Sequence, residues 1–176
     1  MNVESKIKTT IRDIVDFPKP GIVFKDITPL LQDAELCKEI TDEFANRVSH
    51  LKIEGVAAVE SRGFLFGMLI AQKLRVPFIP IRKKGKLPYD TFEESYDLEY
   101  GSAIIEMHKD AIKPSQNILL HDDLLATGGT IEAASKLILK AGGNVSAYSF
   151  LIELAFLNGS NKIKRFGADL IGLVQY

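Results

Sequence analysis

Cysteine is nearly missing from this chain. Cys37 is the only one among 176 residues, so no disulfide can form within it. It lies in a stretch of helical pattern with no His/Cys cluster beside it, which reads as a core or boundary residue and not as a ligand or nucleophile. Charge of one sign is also lacking. The 22 Lys and Arg stand against 23 Asp and Glu, a formal net charge of −1, and a dedicated nucleic-acid binder usually carries a basic surplus. Long apolar runs are absent: the densest, Gly63 to Ala71, is far too short to span a bilayer. The first ten residues mix Glu4, Lys6 and Lys8 with polar neighbours and hold no apolar signal core. Two nucleotide-binding fingerprints are missing as well. No lysine follows the second glycine of a G-x-x-x-x-G loop, and no G-x-G-x-x-G occurs. No repeat or low-complexity linker stands out.

What is there is enough for a core. Hydrophobic residues make up 46% and charged residues 26%, so a folded single domain over residues 1–176 is expected and disorder is not. Leu36, Ile40, Phe44 and Val48 recur at four-residue spacing and predict a helix over 33–49 with Asp33 as its N-cap. Short apolar strands are expected at 56–59, 78–81 and 118–120, and longer ones at 145–154 and 170–174. Helices are expected at 64–74 and 131–141, the latter ending at Gly142-Gly143. Residues 96–100 and 103–107 read as a strand pair turning at Gly101-Ser102. Strand–helix–strand order then implies an α/β fold with a central, mostly parallel sheet flanked by helices.

The tract 117–130, reading Asn-Ile-Leu-Leu-His-Asp-Asp-Leu-Leu-Ala-Thr-Gly-Gly-Thr, carries the most chemistry. An apolar strand runs into two adjacent carboxylates, then a small-residue loop, then an amphipathic helix. A helix N-terminus offers free N–H groups and partial positive charge to an anion. Gly128 and Gly129 let the backbone come close, and Thr127 and Thr130 add hydroxyl donors. Asp122 and Asp123 would repel a phosphate; they suit a sugar diol or a divalent cation. A bland alternative is a generic turn whose Asp pair only caps the next element. Glu60-Ser61-Arg62-Gly63 falls at the end of another expected strand, where α/β sheets bind ligands.

These motifs resemble those of the type I phosphoribosyltransferases, in the form carried by the family's adenine-using members. Residues 118–130 match the signature for 5-phosphoribosyl-1-pyrophosphate (PRPP). Residues 17–29 resemble the base-binding segment, 60–67 the pyrophosphate loop, and 81–88 and 95–101 two further stretches. The resemblance implies a type I phosphoribosyltransferase fold, with an N-terminal hood over residues 1–35 and a flexible catalytic loop within 82–101. It implies transfer of the phosphoribosyl group from PRPP to N9 of adenine. Ala126, Thr127, Gly128, Gly129 and Thr130 would cradle the 5-phosphate, and Asp122 and Asp123 would hold the ribose hydroxyls. Ser61 and Arg62 would meet the pyrophosphate, in a loop that carries a non-proline cis peptide in this family. Arg82 and Lys86 would also address the pyrophosphate, Arg82 by reaching into the partner's site of a homodimer. Glu99 would be the general acid/base near N7 and Tyr100 would shield the reaction centre or contact a phosphate. Val23, Phe24, Lys25 and Leu125 would form the base pocket.

The resemblance also implies Mg²⁺ bound through substrate oxygens, with no direct protein ligand, and a cytoplasmic enzyme with neither nucleic acid nor membrane as partner. Lys25 stands where relatives often have Arg. His121 replaces an aliphatic residue and reads as a core or strand-end histidine, with a shift of the acid pair's titration as the alternative. His50 and His108 read as surface residues. Another purine as substrate, or a PRPP-sensing regulator on the same fold, are the rival functions.

Overall fold

A computed structural model describes residues 2–97 and 101–176. The chain forms α1 (Val3–Thr10), β1 (Arg12–Val15), β2 (Val23–Asp26), α2 (Ala34–Arg47), β3 (Gly55–Val59), α3 (Gly63–Leu74), β4 (Phe78–Lys83), β5 (Thr91–Asp97) and β6 (Ser102–His108). It continues through β7 (Asn117–Leu125), α4 (Gly129–Lys140), β8 (Asn144–Glu153), α5 (Ser160–Ile163) and β9 (Asp169–Gln175). Asp33 caps α2 as expected, its carboxylate accepting the Leu36 N–H at 2.9 Å.

Seven strands form the main sheet in the order β5-β6-β4-β3-β7-β8-β9. Strands β4, β3, β7, β8 and β9 run parallel, and β6 and β5 complete it as an antiparallel hairpin. From β3 the chain crosses through α3 to β4 on one side. From β7 it crosses through α4 to β8 on the other. The strand order therefore diverges between β3 and β7, and their carboxyl ends open a crevice there. Strands β1 and β2 form a separate two-stranded antiparallel sheet.

Each face of the main sheet buries its own apolar cluster. Ile7, Ile40, Phe44 and Phe66 cover Leu119 and Leu151 on one side. Leu137 and Ile138 of α4 cover Ile118, Leu120 and Phe150 on the other. Alternation along β7 sends successive side chains to opposite layers, as a doubly covered strand requires. Cys37 is half-buried at the edge of the first cluster, its thiol donating to the Leu30 carbonyl at 3.3 Å. No helix among the described residues is long and apolar enough to cross a membrane.

Several elements depart from the sequence expectation. Strand β7 runs on past Leu120 to Leu125, because β8 continues to pair with it up to Leu125↔Glu153. β3 stops at Ala58↔His121, so the acid pair projects beyond one neighbour while still held by the other. The stretch 82–101, expected as a flexible loop with a strand only from residue 96, carries a strand that begins earlier, since Thr91–Asp97 pairs along its length with Ser102–His108. Helix α1 was not foreseen. Asn2 caps it by accepting the Ser5 N–H at 2.9 Å, and fully buried Ile7 ties it to the core. His108 is half-buried and packs edge-on to Tyr89. It is not the plain surface residue expected, whereas exposed His50 faces Asp169 at 3.3 Å.

Gly67 lets α3 sit down on the sheet. A Cβ there would lie 2.7 Å from the Ala58 Cβ and 3.2 Å from the Phe78 ring. Gly67→Ala is expected to cost about 1–3 kcal/mol of stability through overpacking, read as a lower urea midpoint.

Candidate active site

Two cavities meet in the crevice. The first, about 300 Å³, lies between Glu60, Ser61 and Arg62 after β3 and Asp122, Asp123 and Thr130 around the end of β7. The second, about 260 Å³, is more apolar and lies among Val23, Phe24, Lys25, Leu124 and Leu154. Arg62 and Asp123 line both.

Arg62 joins the two. It forms an ion pair with Asp123, donates from Nη2 to the Lys25 carbonyl at 3.1 Å, and lies 4.9 Å from the centre of the Phe24 ring. The guanidinium thus ties β2 to the end of β7. Its Nε is buried and has no hydrogen-bond partner, while Asp123 Oδ2 is the oxygen paired with Arg62 Nη2. A buried donor left unpaired is costly unless a further partner arrives. The peptide between Glu60 and Ser61, just before Arg62, is cis.

The acid pair is electrostatically loaded. Asp122 Oδ1 accepts the Asp123 N–H at 2.9 Å. Burial, then the neighbouring Asp123 charge, pushes the Asp122 carboxyl well above the ordinary range. Burial also raises Asp123, and the Arg62 charge draws it part of the way back. Gly63 makes room for this arrangement: a Cβ there would stand 2.8 Å from Asp122 Oδ1. His121 is fully buried one residue before the pair, its Nδ1 2.9 Å from Ser149 Oγ and its ring edge-on to Phe44. Burial lowers its pKa to about 3, so it is a neutral core histidine and lends the acids no charge.

After β7 the chain turns through Ala126 and Thr127 to Gly128, whose φ of +80° is a left-handed conformation open to glycine. Helix α4 starts at Gly129. Of residues 126–130, Thr130 lines the first cavity, and the free N–H groups of a helix N-terminus suit an anion.

The basic run is organised by two carboxylates, Glu60 at the head of the 60–67 motif and Glu106, neither of them expected as a site residue. Glu60 accepts from Arg82 Nε at 2.9 Å and from the Lys83 N–H at 3.2 Å, and lies 3.4 Å from Lys86 Nζ. Arg82 also donates to the Lys86 carbonyl at 3.3 Å. Arg82 and Lys86 thus gather on Glu60 of their own chain, and Lys83, unforeseen, lines the first cavity. Glu106 is 3% exposed and accepts the Lys86 and Leu87 N–H groups at 2.8 Å each. Burial works to raise both glutamates, but the amides and cations around them outweigh it and hold both below the ordinary range.

In the second cavity one expectation is corrected. Leu125 is 1% exposed and buried in the cluster on the α4 face, whereas Leu124 lines the cavity together with Leu154. Adjacent residues of a strand point to opposite faces, and of two neighbouring leucines only one could face the ligand. Lys25 keeps its side chain occupied: Nζ meets both Asp13 oxygens, at 2.7 and 2.9 Å, and lies 3.8 Å from the Tyr176 ring centre. The Arg-to-Lys departure at this position therefore concerns a side chain held by Asp13 and Tyr176. Glu99 and Tyr100 lie outside the described residues. Among the described residues no three His, Cys, Asp or Glu side chains gather as a metal cage.

The chain was compared with known proteins. The family model of the phosphoribosyl transferase domain matches residues 27–157. An adenine phosphoribosyltransferase of Cytophaga hutchinsonii is 56% identical over 174 residues, covering 99% of this chain and 96% of its own. One from Christiangramia forsetii is 50% identical over 171 residues, covering 97% and 99%. Among solved structures, adenine phosphoribosyltransferase from Thermoanaerobacter pseudethanolicus superposes with a TM-score of 0.95 at 47% identity, covering 98% of this chain and 99% of that one. The Saccharomyces cerevisiae enzyme, complexed with an imino-altritol bisphosphate and adenine, gives 0.92 at 36% identity, covering 97% and 98%. Agreement of this extent, end to end and in both sequence and backbone, means that the chain belongs to the adenine phosphoribosyltransferases of the type I phosphoribosyltransferase family.

Proposed function

We propose that this protein transfers the 5-phosphoribosyl group of PRPP to N9 of adenine, releasing AMP and pyrophosphate in purine salvage. The observation that carries this reading is the pair of cavities sharing Arg62 and Asp123, one lined by acids and cations, the other largely apolar. A charged sugar donor and a flat aromatic acceptor need those two environments, and they must meet at the sugar's C1.

The donor occupies the first cavity. Ala126–Thr130 with the N-terminus of α4 takes the 5-phosphate, and Asp122 and Asp123 accept the ribose hydroxyls. The same carboxylates stabilise positive charge on the ribose ring as the C1–pyrophosphate bond breaks. Ser61, Arg62, Lys83 and Lys86 receive the pyrophosphate. Mg²⁺ fits as a substrate-bound ion, because the cavity is lined by the Asp122 and Asp123 carboxylates and Mg²⁺ keeps waters and leans on substrate oxygens. Bound so, it would neutralise charge on the leaving group. Adenine occupies the second cavity. With the Lys25 carbonyl held by Arg62, the Lys25 N–H serves N1 and the Val23 carbonyl the 6-amino group. Phe24, Leu124 and Leu154 supply apolar surface. Glu99 acts as general acid/base near N7 and Tyr100 shields the centre. Residues 1–35 form the hood over the base.

The enzyme works in the cytoplasm as a homodimer in which Arg82 leaves Glu60 for the partner's pyrophosphate. Leu65 and Met68, 40% and 51% exposed on α3, supply apolar surface for that second copy.

Assay with PRPP, Mg²⁺ and single free bases tests the function. Adenine should yield AMP and pyrophosphate. Hypoxanthine, guanine and xanthine should fall short by about 10⁴-fold or more, since they leave the base-reading backbone groups unpaired. Turnover of another purine with adenine inert would refute the assignment.

A further inference from the structure

The segment after β8 touches the second cavity and then the turn at 126–128. Leu154 lines that cavity, and its N–H donates to the Leu125 carbonyl at 3.0 Å. The Ala155 N–H then bonds to the Tyr176 carbonyl at 2.9 Å, and Asn158 turns the chain with a φ of +54°. The next residue, Gly159, comes up against the loop at Ala126–Gly128.

Gly159 does not owe its identity to backbone conformation. Its φ of −60° and ψ of −31° suit any residue. Space is what excludes a side chain. A Cβ at Gly159 would overlap the Ala126 carbonyl oxygen and stand 3.0 Å from the Gly128 nitrogen. The exclusion is mutual: a Cβ at Gly128 would lie 2.5 Å from the Gly159 carbonyl oxygen. Two backbones cross here with nothing between them, and neither obstacle is a flexible side-chain end that could swing away.

We propose that Gly159 is a positioning residue for donor binding, its bare backbone forming the rear wall that sets the Ala126–Gly128 turn for the 5-phosphate. The inference rests on the assignment of Ala126–Thr130 to that phosphate. Gly159 lies just past residues 27–157, the span matched by the family model, so the cradle has a wall outside that core. Amides aimed in advance at an anion lose their advantage when shifted, and a displacement of about 1 Å can cost up to about 100-fold.

Gly159→Ala tests this, with neighbouring Ser160→Ala as control. Steady-state kinetics should show KM for PRPP up about tenfold or more and KM for adenine within about twofold. Calorimetric Kd for PRPP with Mg²⁺ should rise in parallel, and Ser160→Ala should match the wild type. An unchanged PRPP affinity in folded Gly159→Ala overturns the proposal, as does an equal rise in both KM values with a lowered melting temperature. Should the variant not fold, amide exchange in the wild type decides. PRPP should slow exchange across 158–161 together with 126–130, and protection confined to 126–130 overturns the proposal. Wild-type protein that binds no PRPP at all would instead remove the phosphate assignment itself.

Discussion

Asp122→Asn is expected to lower kcat/KM by about 10²–10³-fold while making the unliganded protein more stable by about 1–2 kcal/mol. Both effects have one cause. Asp122 is a buried acid next to a second buried acid, and its raised pKa records how unfavourable its charge is without substrate. Asparagine keeps the shape, and its amide oxygen can still accept the Asp123 N–H. What disappears is the charge, which the free protein tolerates poorly and the cationic sugar needs.

The pH dependence gives this a sign. The folded pKa of Asp122 lies above its unfolded value of about 3.9, so between the two the native chain holds the extra proton. The group's contribution is fully present below the unfolded value and is lost as pH rises through the folded one. Glu60 and Glu106 run the other way. Held below their ordinary range, they contribute above the unfolded value and lose that contribution as pH falls through the folded one. Urea denaturation from about pH 5 to about pH 9 should therefore show Asp122→Asn gaining on the wild type as pH rises. A gap that stays constant, or narrows, contradicts the account.

Sequence pattern revealed the elements whose signals are local. The Asp33 cap, the four-residue period of α2 and the run from β7 through glycines into α4 each lie within one short window. Elements stabilised from a distance were hidden. Strand β5 was legible only from Tyr96 on; Glu93, Glu94 and Ser95 look like a polar loop until β6 pairs with them. Strands β1 and β2 are four residues each, have no fully buried residue, and depend on one another. The site divides the same way. The PRPP tract and Arg62 are assigned roles by their motifs, whereas Glu60 and Glu106 act by accepting from backbone and cations far along the chain. Leu154 and Gly159 become meaningful only where β8 brings the chain back beside β7. The choice of Leu125 over Leu124 fails because two adjacent leucines give no phase; the facing layers decide which one sees the crevice.

Arg62→Ala should be the more damaging change, lowering kcat/KM by about 10³-fold or more, because one guanidinium serves three neighbours. It neutralises Asp123, holds the Lys25 carbonyl and covers Phe24. Truncation leaves Asp123 buried without its cation. The acid's hold on a proton then strengthens, since the Arg62 charge is the largest of the influences that oppose burial there. Protonation limits the loss of stability to about 2–3 kcal/mol but removes a carboxylate from the ribose site. Release of Lys25 loosens β2, and the base cavity with it. Arg62→Lys separates charge from geometry. An ammonium can pair with Asp123, but it lacks the planar fork that reaches the Lys25 carbonyl at the same time. Lysine should restore most of the stability and little of the turnover, with KM raised for both adenine and PRPP. Denaturation midpoints and full kinetics on both variants distinguish the roles. If lysine recovered wild-type KM for adenine, Arg62 would matter to the acid pair alone, and the hood would not depend on it.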